Sequence, residues 1–76
     1  MARFLHLLKS DSAPVAAPVI AQNARQPGDT VTVVLLGDVT APPLPTNVQI
    51  RRFGDQGLDY SSLLDLIFES DHVMSW

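Results

Sequence analysis

Two histidines and several aspartates are the residues of this chain that could hold a metal ion. His6 or His72 could combine with Asp11, Asp38 or Asp71 in a site of mixed nitrogen and oxygen ligands. Their spacing follows no metal-binding motif, so we expect each to have a structural role. We interpret His6 as a strand residue with a satisfied hydrogen bond, and His72 as a cation at the end of a helix, where the helix dipole favours it. The sequence therefore predicts no metal site.

Serine and cysteine, the usual nucleophiles, give no sign of covalent catalysis. The chain has no cysteine, which excludes a disulfide, a thiolate nucleophile, a persulfide carrier and a thiolate zinc ligand. The serines lie near predicted helix starts, where capping explains them without chemistry. They are Ser10, Ser12, Ser61 and Ser62. We expect no catalytic residue and no cofactor, and therefore a protein that is not an enzyme.

One possible ligand site is the edge of the sheet at which the strands end. Asp38 follows the central predicted strand and Asp11 follows the first, and open α/β sheets bind ligands at this edge. A small-ligand site at Asp11 and Asp38, with His6 as a further contact, is therefore one hypothesis. The other is that both acids only end turns.

Composition limits the function further. The chain has 76 residues, five lysines and arginines, and a net charge of -3, so residues 1–76 form one small domain without the basic surface that nucleic-acid binding requires. No apolar run is long enough for a membrane span, and the apolar start is too short for a signal sequence. We expect a cytoplasmic protein that binds neither nucleic acid nor membrane.

Three strands and two helices must position these residues. The apolar run Thr30–Leu36 between two turn signals predicts a central strand covered on both faces, and a first strand precedes it at residues 4–8. A helix is predicted between them. It starts near Pro18, because a proline is unfavourable inside a helix, and it ends by Gln26, because Pro27 disfavours helical geometry in the residue before it. After a proline-rich loop, residues 48–53 predict a third strand, parallel or antiparallel to the second.

The last third of the chain predicts a second helix and an apolar tail. Asp59 stands where an N-cap would accept the first free amides, and Leu63, Leu64 and Ile67, with Tyr60 at one end, form the apolar stripe of the helix. The tail, residues 73–76, ends in the only tryptophan, which could dock on this chain's own sheet or on a neighbouring subunit.

These elements predict an α/β domain with a small three-stranded, mostly parallel sheet and two helices in the order βαββα. A chain this short buries little surface and leaves its sheet edges open, so we expect an interaction subunit, either part of a homo-oligomer or bound to other proteins. Partner contact is assigned to Tyr60, Met74 and Trp76, together with a sheet face near residues 39–44 that is expected to be uncovered.

Three stretches taken together resemble the TusB/DsrH family of small DsrE-like sulfur-relay subunits. They are residues 4–10, residues 28–41 and the segment 58–66, the last followed by the terminal Ser75 and Trp76. The resemblance implies a Rossmann-like subunit of an assembly that relays persulfide sulfur, toward tRNA 2-thiolation or sulfur oxidation. The proline loop at residues 42–45 replaces a helix that members usually carry. Without a cysteine the chain would be a non-catalytic member, and no active-site residue is carried over.

Overall fold

The chain folds into a layered α/β domain in the computed structural model, which describes residues 2–9, 11–37, 39–54 and 57–76. Within these residues, strands and helices alternate along most of the chain. In order they are β1 (Arg3–Leu8), α1 (Ala13–Asn23), β2 (Thr30–Leu36), β3 (Val48–Phe53), α2 (Tyr60–Glu69) and β4 (His72–Ser75).

The sheet has four strands in the order β3-β2-β1-β4, and every neighbouring pair is parallel. The predicted α/β class is confirmed, whereas the prediction of three strands was wrong because the apolar tail forms β4. Backbone bonds fix this strand beside β1: the Asp71 amide donates to the Arg3 carbonyl at 2.9 Å, and the Trp76 amide to the Leu7 carbonyl at 3.0 Å. The third strand, for which both directions remained open, is parallel to β2.

The central position of β2 is confirmed. Residues 31–35 are all buried, and β1 and β3 pair with the two sides of the strand. Helix α1 covers one face of the sheet through Ala16 and Ile20, both fully buried. Helix α2 covers the other face, where its apolar residues pack against Leu5 and Val34. The sheet is therefore covered on both faces at β1 and β2.

Helix α1 begins at Ala13, so the predicted start near Pro18 was wrong. Pro18 lies inside the helix and cannot donate to the carbonyl of Pro14, one turn earlier. Both prolines lie on the exposed side of the helix, so water can satisfy that carbonyl. Ser12 precedes the helix, but its hydroxyl bonds to the backbone of Lys9 and caps no helical amide.

The connection from β2 to β3 covers the sheet, contrary to the expectation of an open face near residues 39–44. Val39 is only 2% exposed, and Leu44 packs against the same core as α1. The Asn47 side-chain amide donates to the Ala24 carbonyl at 2.9 Å, which fastens the end of the connection to the end of α1. This extended segment therefore takes the place of a covering helix.

Candidate protein-interaction surface

Helix α2 is positioned by its N-cap, as the sequence predicts. The Asp59 carboxylate accepts a hydrogen bond from the Ser62 amide at 2.8 Å. This bond is made to the ionised form and holds the pKa of Asp59 below its usual value. The helix buries one side, on which Leu63, Leu66 and Ile67 pack against the sheet.

A second apolar row on α2 faces solvent. Phe68 is 83% exposed and Tyr60 is 64% exposed, with Leu64 between them at 37%. Their spacing of four residues places them on one flank of the helix. The predicted apolar stripe therefore divides into a partly buried row that packs on the sheet and an exposed row, and Tyr60 and Leu64 belong to the exposed one.

Helix α2 packs over β1 and β2, and β4 is the edge strand next to β1. Glu69 of α2 lines a cavity of about 200 Å³ with Thr32 of β2 and Gln49 of β3. Because α2 packs over β1 and β2, the same face of β4 is left open, and Val73 on that face is 42% exposed. Tyr60, Leu64, Phe68 and Val73 are the large exposed apolar residues of α2 and β4, and together they are here named the apolar patch.

Of the three residues predicted to contact a partner, Tyr60 belongs to this patch and the other two lie on β4 or directly after it. Met74 and Trp76 are half-buried. Trp76 packs against the core on the α1 side, and its indole nitrogen donates to Nδ1 of His6 at 3.1 Å. Trp76 therefore docks on this chain's own sheet, one of the two alternatives that the sequence allowed.

His6 is the centre of a buried polar network, and its interpretation as a hydrogen-bonded strand residue is confirmed. Nδ1 accepts from Trp76, so Nε2 carries the proton and donates to Oδ1 of Asn23 at 2.9 Å. The side chain is 0% exposed, and burial lowers its pKa below the usual value, an effect that the Asn23 bond partly opposes. His6 is thus held in its neutral Nε2–H form.

His72, in contrast, is exposed and lies in β4, so its predicted place at the end of a helix was wrong. Its ring stacks on Phe4 of β1, with 5.0 Å between the ring centroids. The two histidines therefore contact different residues, although they lie on neighbouring strands.

The alternative ligand site is not assembled by the described residues. Both ring nitrogens of His6 are bonded inside the protein, Asp11 is exposed in the turn before α1, and Asp38 lies outside the described residues. A groove of about 520 Å³ does lie at this edge, between the start of α1 and the β2 to β3 connection. Its lining is mostly apolar and includes Ala13, Pro14 and Pro42.

The described part of the chain contains neither a candidate metal site nor a helix that could span a membrane. No group of three or more histidine, aspartate or glutamate side chains in residues 2–9, 11–37, 39–54 and 57–76 is arranged to hold a metal ion. Within the same ranges, neither helix has the length and apolar character needed to cross a membrane.

Comparison of the chain with protein families, curated proteins and solved structures finds no match. The apolar patch and the His6 network therefore have to be interpreted from their own chemistry. Sequence reasoning missed Phe68 and Val73 as surface residues. The only signal for them was that the apolar residues of α2 cover more of the helix than one buried face needs.

Proposed function

We propose that this chain is a non-catalytic interaction subunit that binds another protein through the apolar patch. The observation that carries the proposal is the exposure of Phe68 and Tyr60 on one flank of α2, at 83% and 64%. Large aromatic side chains dominate the binding energy of many interfaces, and contiguous apolar surface is uncommon on isolated domains.

The edge of the sheet supports the same function. Strand β4 pairs with β1 on one side, and no strand of the described residues pairs with its other side. A partner strand that bonded this outer side of β4 would also come beside Val73, which is 42% exposed. A partner here would gain both main-chain bonds and apolar contact, the combination used in strand addition to a sheet edge.

The partner class suggested by the TusB/DsrH resemblance is a sulfur-relay subunit. Since this chain has no cysteine, it would support the assembly while its partners carry the sulfur. Co-purification of the chain with cysteine-bearing DsrE-like proteins tests this narrower proposal. A failure there leaves the binding role of the patch open to other partners.

Affinity capture with the tagged full chain tests the general proposal. We expect Phe68→Ser and Tyr60→Ser to lose proteins that the wild type retains, because each removes an exposed aromatic from the patch. Val15→Ser is the matched control, since Val15 is 66% exposed but lies on α1, on the other face of the sheet. Equal retention by all four proteins, with unchanged circular dichroism, would show that the patch binds nothing.

A further inference from the structure

We propose that the chain binds a small amino acid, a molecule with one ammonium and one carboxylate group, in the cavity beneath the end of α2. This site is separate from the apolar patch and lies at the amino ends of β1, β2 and β3. The cavity has a volume of about 200 Å³. Pockets for drug-sized molecules measure about 300–1,000 Å³, so the ligand that fits here has only a few heavy atoms.

The sheet side of the cavity is polar. Thr30 and Thr32 precede Val34, which packs under α2, by four and two residues, so the alternation along a strand places all three on the same face. In the parallel register Arg3 stands beside Thr30, and Gln49 stands beside Thr32. These four polar residues line the cavity together. The α2 side of the lining consists of Leu66, Glu69 and Ser70.

The Thr32 hydroxyl indicates that the cavity receives a polar group. Thr32 is only 8% exposed, and its hydroxyl makes no hydrogen bond with another described residue. No fully buried polar side-chain atom of the described residues lacks a partner, so this hydroxyl is open to the cavity that Thr32 lines. A hydroxyl on a covered strand costs stability unless a partner bonds it. A ligand in the cavity would supply that bond.

Two opposite charges in the lining select the class of ligand. Arg3, on the sheet side, has a guanidinium that can bind a carboxylate through two hydrogen bonds. Glu69, on the helix side, has a carboxylate that can bind an ammonium group. The nearby Asp71 carboxylate accepts the Arg3 amide at 2.8 Å and does not line the cavity. A ligand with one kind of charge would be repelled by Arg3 or by Glu69, whereas an amino acid matches both.

The end of α2 also favours an ammonium group. The last carbonyl groups of a helix carry partial negative charge, and α2 has no basic residue in its last turn to balance it. Ser70, which follows the helix, adds no cation, and its hydroxyl donates to the Leu66 carbonyl at 2.6 Å. The ammonium group of the ligand would therefore lie against Glu69 and the helix end, with the carboxylate toward Arg3.

Titration of the full chain, followed through its amide NMR shifts, tests the inference. The probes are glycine, β-alanine and 4-aminobutyrate, which differ in the number of carbons between the amino and carboxylate groups. We expect saturable binding of at least one of them, with shifts at the residues that line the cavity. The amide of that probe lacks the carboxylate, and its hydroxy-acid analogue lacks the ammonium group. Each should bind at least about tenfold more weakly, because it loses a charge-assisted hydrogen bond.

Variants of the two charged residues assign the contacts. In Arg3→Gln the amino acid and its amide should bind equally, because the residue that distinguishes them is gone. In Glu69→Gln the amino acid and its hydroxy acid should bind equally for the same reason. Both residues are exposed, so neither change should disturb the fold. Arg51→Gln and Asp65→Asn are the matched controls, since these exposed residues of β3 and α2 do not line the cavity, and both should bind like the wild type.

Thr32→Val separates a ligand contact from a structural role. It removes the hydroxyl and keeps a similar shape, so it should weaken ligand binding while the melting temperature of the free protein stays equal or rises. A lower melting temperature would show that the hydroxyl is bonded inside the protein, and would contradict the contact. The whole site is overturned if no probe binds at up to about 50 mM, well above a Kd of about 1 mM, or if the wild type binds the analogues equally well. The apolar patch is tested independently by affinity capture.

Discussion

Replacing Trp76 by phenylalanine should weaken the fold through its effect on His6. Phenylalanine keeps an aromatic ring but cannot donate to Nδ1, so a buried ring nitrogen loses the hydrogen bond that the Trp76 indole donates to it. An unsatisfied buried group costs about 1–3 kcal/mol. In a domain of this size each kcal/mol lowers the melting temperature by about 4–8 °C, so we expect a decrease of at least about 4 °C.

The pH dependence of the stability shows whether the loss in Trp76→Phe arises from His6. The pKa of His6 is lowered in the folded protein, so below the ordinary histidine pKa of about 6.5 the unfolded chain takes up a proton that the folded one resists. Stability therefore falls as pH decreases below about 6.5. In Trp76→Phe, Nδ1 is free to accept a proton, so the folded-state pKa of His6 rises and this fall becomes smaller. The wild type and the variant should differ most above pH 7 and converge in acid.

Urea denaturation at pH 7.5 and pH 5.5 measures both effects. Circular dichroism is the suitable probe because Trp76 is the only tryptophan and its fluorescence is lost in the variant. His72→Asn is the matched control, because it removes the other histidine, which is exposed and takes no part in the hydrogen bonds of His6 with Asn23 and Trp76. Parallel stability curves for the wild type and Trp76→Phe across this range would refute the role assigned to the His6 and Trp76 pair.

Four other substitutions test the packing and backbone geometry of the fold. Pro18→Ala should stabilise the protein by about 2 kcal/mol, because it restores a helical hydrogen bond at an exposed position, and a lower melting temperature would contradict this. Ala16→Leu should lower the free energy of unfolding, measured by chemical denaturation, by about 1–3 kcal/mol, since Ala16 lies on the buried side of α1 with 0% exposure and a larger side chain has no space. Asp59→Ala should lower the melting temperature at neutral pH, and the loss should vanish as pH falls through the lowered carboxylate pKa, because the wild-type cap is then protonated as well. Gly57→Ala should destabilise strongly, because its Cβ would come within 1.8 Å of the Arg52 carbonyl oxygen; a melting temperature like that of the wild type would contradict this geometry.

Local patterns in the sequence predicted the parts of the fold that depend on local chemistry. The run Thr30–Leu36 consists of β-branched and aliphatic residues with almost no polar face, as a strand covered on both faces requires, and it forms β2. Asp59 fulfils its predicted role because an N-cap depends only on the residues that follow it. The start of α1 was misplaced because a proline inside a helix leaves one carbonyl without its helical hydrogen bond. Here that carbonyl belongs to Pro14, on the exposed side of the helix, where water can bond it instead.

The remaining errors arise from contacts between distant positions. The four residues of β4 are too few to define a strand by pattern, and they become one because β1 offers an edge. The partners of His6, Asn23 and Trp76, are 17 and 70 positions away, so no window of sequence relates them. Leu64, which is exposed, was likewise placed in one apolar stripe with Leu63 and Ile67, because hydrophobicity alone does not show which side of an apolar helix faces the sheet.

The pairing of β1 with β4 also determines the order in which the domain can fold. Residues 4–7 pair with residues 72–75. One edge of β1 therefore stays unpaired until β4, the last of the six elements, has been synthesised. Closing so large a loop is slow, and an unpaired strand is prone to join other chains meanwhile. During translation, β1 would therefore have an exposed side that nascent-chain chaperones could shield. Completion of the sheet would be the late, rate-limiting event in maturation.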